Sequence, residues 1–252
     1  MRLEHVPLLQ IQRDLYLLPR GMERFQAYLK TMFAPGGEEL RLPPLVAMNP
    51  MGKDHVPARL DALLAFDAEG VAAHAVADAS ARLRERPGDF KIGLVLADDA
   101  MGGWTNRHTS EFAQRFPVPT AHARTSGWLS AVLWTSEPPT AQAVSEAVLS
   151  VIFRADQLAA HGCARTLREM LVQEGRVMAL AGCTNLALAP AELARTREIL
   201  TPRLDASATD LPAVIPCLFG DAAAESLGYT PLGLADRAGF ALALNEAARG
   251  SE

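Results

Sequence analysis

The chain has 252 residues, 49% apolar and 21% charged, so it can bury a sizeable core and is not globally disordered. The formal net charge is −5 and no basic block occurs, which argues against a nucleic-acid-binding surface. No run of about 20 apolar residues is present, so no membrane span is expected.

The first residues carry Glu4 and Asp14 around a broken apolar run and lack the form of a signal peptide. A cytoplasmic protein is therefore expected. Cys163, Cys183 and Cys217 lie far apart and form no CxxC, which predicts reduced thiols in place of a zinc knuckle or a redox pair. Only Lys30, Lys53 and Lys91 are lysines; the other basic residues are arginine.

Residues 4–33 predict a helical pair. Leu8, Leu9, Ile11, Leu15 and Leu18 keep a helical spacing, and Pro19-Arg20-Gly21 interrupts it. Met22, Phe25, Leu29, Met32 and Phe33 form the next stripe, with Glu23, Arg24, Gln26 and Lys30 on the opposite face. Such a hairpin caps the main domain or supplies a subunit contact in a homo-oligomer. Leu45–Met48, after Pro43-Pro44, predicts a short strand. Residues 58–86 predict helix, with a break at Gly70.

Ile92, Leu94, Val95 and Leu96 form a continuous apolar run, which predicts a strand over Lys91–Ala97 covered on both faces. Thr109–Phe116 predicts a short helix, and Leu129–Trp134 a further strand. Thr140 fits the N-cap of a long helix ending at Gly162. Helices follow over residues 163–182 and 190–200, the second with Pro190 in its first turn. Val214–Leu218 predicts an edge strand, with helix as the alternative because of Pro216. A final helix is expected over residues 235–248. The reading is an α/β fold, rich in helix, with a small, mainly parallel sheet. It places 1–252 in one domain, softly divided into an α/β part (1–162) and a mostly helical part (163–252).

Three strand candidates share one arrangement: the apolar run ends, and polar groups follow at once. The first gives Asn49, Lys53, Asp54 and His55. The second gives Asp98, Asp99, Asn106, Arg107 and His108. The third gives Thr135, Ser136 and Glu137. Intervening helices imply parallel strands, which carry their carboxyl ends to one sheet edge, where open α/β sheets bind ligands. Asp98, Asp99, His55 and His108 are the candidate acid–base groups. Asn49, Lys53, Trp104, Asn106, Arg107, Ser136 and Glu137 are candidate substrate-binding groups. The adjacent aspartates also suit a divalent metal.

No GxSxG, GxGxxG or HExxH occurs, and Ala47 and Asp54 break the GxxxxGK[ST] phosphate loop around Gly52-Lys53. Three functions fit: an enzyme for a small polar or anionic metabolite, a non-catalytic binder of such a ligand, and a helical assembly protein. Successive strand residues point to opposite faces. One aspartate is therefore expected to face the loops after Met48 and Trp134, while its neighbour braces the glycine loop that carries Gly102, Gly103 and Trp104.

Overall fold

The computed structural model describes residues 1–34, 36–37, 39–100, 105–117 and 127–250. It is α/β, helix-rich, with a three-stranded parallel sheet in the order β1-β2-β3. The strands are β1 (Arg2–Val6), β2 (Asp89–Ala97) and β3 (Trp128–Trp134). Expected strands and observed ones coincide at β2 and β3, where the apolar runs lie.

The first sheet position is a correction. Leu45–Met48 is not a strand and does not pair with β2; Pro43–Ala47 is a 3-10 turn packed against β2 and β3. Two successive prolines set φ near the helical value and favour such a turn. The i→i+3 bonds Leu45 N–H to Leu42 O and Met48 N–H to Leu45 O, both 3.1 Å, close it, and Leu45 and Met48 are fully buried. The strand beside β2 is β1, in a stretch expected to start a helix. It pairs in register from Arg2 opposite Asp89 to Val6 opposite Gly93.

The chain divides into two compact units, comprising the described residues of Met1–Arg107 with Ala121–Ile152, and of His108–Thr120 with Phe153–Glu252. The first holds the sheet, α1 (Leu9–Leu15), α2 (Met22–Met32), α3 (His55–Ala65) and α4 (Ala68–Arg82). Gly93 brings β2 close to its cover: an added Cβ would lie 2.5 Å from a Leu8 methyl and 2.8 Å from the Pro44 ring. Beyond Gly93, β2 has outrun β1. Gln12 of α1 takes over there, exchanging two hydrogen bonds with the Leu96 backbone at 2.6 and 3.0 Å. The break between α3 and α4 falls at Phe66-Asp67. Asp67, in the left-handed region, caps α4 by accepting from Gly70 N–H at 3.1 Å. On α2 the buried residues are Arg24, Tyr28 and Met32, while Met22 of the expected apolar stripe is 64% exposed.

Two helices run from one unit into the other: α5 (Arg107–Arg115) and α6 (Ala141–His161). As expected, Thr140 accepts from Ala143 N–H at 3.1 Å at the start of α6, and Gly162 ends it at φ +78°. The second unit adds α7 (Leu167–Ala181), α8 (Pro190–Leu200), α9 (Leu211–Phe219), α10 (Asp221–Ser226) and α11 (Ala238–Arg249). Here Val214–Leu218 is helix, in α9. Asp210 caps it, Pro212 fits its first turn, and Val214 to Phe219 are all buried. Pro216 removes one helical hydrogen bond, and burial of every face outweighs that loss.

The core of this unit centres on Phe219 and Phe240, edge-to-face at 5.0 Å. Beside it lies a buried ion cluster. Glu174 accepts from Arg154 through two bonds of 2.8 Å and from Arg115, and Arg237 donates to Glu111. Burial alone pushes the Glu174 carboxyl up, but the Arg154 and Arg115 charges outweigh it and hold it at about 2.

Candidate functional site

The β2–β3 register builds the centre of the site. Ala97 lies opposite Trp134, so the next residues on each strand, Asp98 and Thr135, also fall side by side. Thr135 N–H donates to Ala97 O at 3.0 Å and extends the ladder by one rung. Both polar side chains are thereby carried into the fold: Asp98 is 2% exposed and Thr135 5%.

A buried carboxylate requires partners. The Asp98 carboxylate takes the Asn49 amide on Oδ2 at 2.7 Å. Its Oδ1 meets His55 Nε2 at 2.7 Å, the Thr135 hydroxyl at 3.2 Å and Ala100 N–H at 3.3 Å. His55 is the first residue of α3, and Pro57, in the first turn, leaves no helical bond unmade there. The ring lies mostly inside, with 21% of its side chain exposed. Its Nδ1 is buried without a hydrogen-bond partner.

Asp99 turns to different neighbours. It accepts from Ser136 N–H at 3.0 Å and from the Ser136 hydroxyl at 2.6 Å, and lies 3.6 Å from Arg107. Arg107 also donates to Ser136 and Glu137 and lies over the Trp134 ring at 5.4 Å. The Thr135 hydroxyl has one proton between Asp98 Oδ1 and Asp99 Oδ1, at 3.2 and 3.0 Å. The two aspartates turn to different partners, but the second does so at the loop after Trp134, and the glycine loop it was expected to brace lies outside the described residues. Asp98 faces the segment after Met48, and Asp99 braces the turn after β3.

Two residues of the amino-terminal helices complete the site, and sequence pattern did not single them out. Tyr16 donates to the Asn49 carbonyl. Burial, reinforced by the Asp98 charge and opposed by Arg24, pushes its hydroxyl pKa up, so it stays a donor. Arg24 lies over the Tyr16 ring at 5.0 Å and donates to carbonyls of Leu18, Pro50 and Gly52 at 2.8, 3.5 and 3.3 Å. The spacing of α2 put Arg24 on the solvent face; it is 7% exposed. The signal available was a tyrosine and an arginine near a proline-glycine loop, which is too common to act on.

Of the other candidates, Lys53 is exposed on the loop between Asn49 and His55, and Asn106 is exposed before α5. His108 belongs to the second unit, where its ring meets Phe219 edge-on at 5.6 Å. Trp104 and its glycines lie outside the described residues. Among the described residues no cluster of three or more His, Cys, Asp or Glu side chains has the geometry to hold a metal ion. No described helix is long and apolar enough to cross a membrane. A groove of about 560 Å³ is lined by Phe66, after α3, and by Val71, His74, Ala75 and Leu149 on α4 and α6, and none of the site residues borders it. The chain matches no protein-family model, no curated protein and no solved structure.

Proposed function

We propose that this chain is an enzyme that acts on a small polar or anionic metabolite, with His55 as its proton-transfer group. The observation that carries this reading is the His55–Asp98 contact of 2.7 Å at the carboxyl edge of a parallel sheet. A carboxylate on one imidazole nitrogen orients the ring, and the other nitrogen then exchanges protons with substrate. Lys53, exposed on the loop between Asn49 and His55, supplies positive charge that would attract an anion.

A thermal-shift screen of small anions, polar metabolites and divalent metals, followed by turnover assays on the hits, tests the reading. A ligand at 100 times its Kd adds about 2.7 kcal/mol to native stability. The expected result is turnover that falls about 10²–10⁴-fold in His55→Ala and Asp98→Asn. A hit that is never turned over supports a non-catalytic binding protein instead. That second reading is favoured by the mutual pairing of Asp99, Arg107 and Glu137, which leaves a braced rather than a reactive surface.

A further inference from the structure

We infer that Asn49 is a positioning residue that acts on His55 through Asp98. It holds the imidazole in the Nε2–H tautomer and leaves Nδ1 as the basic nitrogen. This rests on reading His55 as the proton-transfer group. Asn49 stood among the groups expected to bind substrate, yet both ends of its side chain are used inside the protein. Its Oδ1 accepts from Met51 N–H at 2.9 Å and its Nδ2 donates to Asp98 Oδ2 at 2.7 Å. Turning the amide over would set NH₂ against the Met51 N–H and oxygen against a carboxylate, so its orientation is determined. Its backbone is held too: the carbonyl accepts from Tyr16 and, at 3.0 Å, from Gly52 N–H.

The chain of donors fixes the ring. With Oδ2 committed to Asn49, Asp98 presents Oδ1 to His55, and an ionised carboxylate only accepts. In the neutral ring the proton must then sit on Nε2. Nδ1 carries the lone pair, buried and unpartnered, which is the kind of atom a bound donor group satisfies. A Nε2-to-carboxylate pair therefore leaves Nδ1, not Nε2, as the ring nitrogen that can take up a proton.

The test is long-range proton–nitrogen NMR of the imidazoles in the full-length protein at pH 8, with His55 assigned by its loss in His55→Ala. The wild type should show Nε2 protonated and Nδ1 bare. In Asp98→Asn, the Asn49 donor should keep the new amide oxygen on its side and turn the NH₂ towards His55. The pattern should then invert to Nδ1–H, with the Thr135 hydroxyl turning its proton to Asp99 and the weak Ala100 contact alone opposing. Adding Asn49→Ala should erase that inversion and give an averaged pattern, an outcome that simple loss of packing does not produce. A wild-type Nδ1–H or averaged pattern overturns the inference, and so does an unchanged His55 signal in Asp98→Asn. These spectra need no substrate. Failed turnover with the expected tautomers would defeat the enzyme reading alone, and intact turnover with the wrong tautomer would defeat the role of Asn49.

Discussion

Replacing Glu174 by Gln should remove a measurable and pH-dependent part of the stability. The carboxyl is fully buried between Arg154 and Arg115, and it titrates at about 2 against an ordinary 4.5. At about 1.4 kcal/mol per pH unit, that gap is worth about 3 kcal/mol. Breaking a buried pair, which strands the arginines, gives an independent figure of about 3–5 kcal/mol. Because the folded-state pKa is depressed, this stability is fully present above pH ~4.5 and is lost as pH falls towards ~2. Urea unfolding followed by circular dichroism measures it. The difference between wild type and Glu174→Gln should be about 3 kcal/mol at pH 7 and shrink to about 1 kcal/mol at pH 3. Other carboxylates titrate alike in both proteins and cancel. A difference under 1 kcal/mol at pH 7, or one that does not change with pH, would refute the reasoning.

Gln12→Ala should strand the buried Leu96 N–H and C=O and cost about 2–4 kcal/mol. Faster hydrogen exchange at the Leu96 amide would locate the effect, and unchanged exchange would contradict it. Gly175→Ala should cost about 1–3 kcal/mol in urea unfolding, since an added Cβ would stand 2.5 Å from the Ala243 carbonyl oxygen of α11. Burial pushes the Cys217 thiol up to about 11, with Arg203 opposing, so only about one molecule in a thousand is thiolate at pH 8. Iodoacetamide should label partly exposed Cys163 well before Cys217 in the native protein, and all cysteines in urea; equal native rates would show that Cys217 is accessible.

Much of the sheet and the site is written locally. The β2 and β3 runs are apolar enough to be buried on both faces, so their spans follow from composition alone. The ends of α6 follow from Thr140 and Gly162, and the start of α8 from Pro190, because caps and first-turn prolines act within a few residues. Polar residues at once after a parallel strand gather at one edge, which is why Asp98, Asp99, Ser136 and Glu137 were legible as a group. Asn49 and His55 join them from just after a 3-10 turn and from the start of α3, not from the strand expected over Leu45–Met48. The partners of these side chains were not legible.

The tertiary structure decided what depends on distant chain. Arg2–Val6 is short and charged, with Leu3 and Val6 three residues apart, and only pairing with β2 makes it a strand. Leu45–Met48 is as apolar as a strand; two prolines and the cover it gives β2 and β3 make it a turn. Val214–Leu218 is β-rich in composition, yet burial on every side suits a helix there. Gln12 and Arg24 look like solvent-facing residues because helical periodicity scores polarity alone. They are buried because each has backbone groups to satisfy, Leu96 for Gln12 and the carbonyls around Pro50 for Arg24. Local pattern determines which conformation a segment can adopt. Which polar side chain is spent on which buried group is settled only when segments far apart in the chain come together.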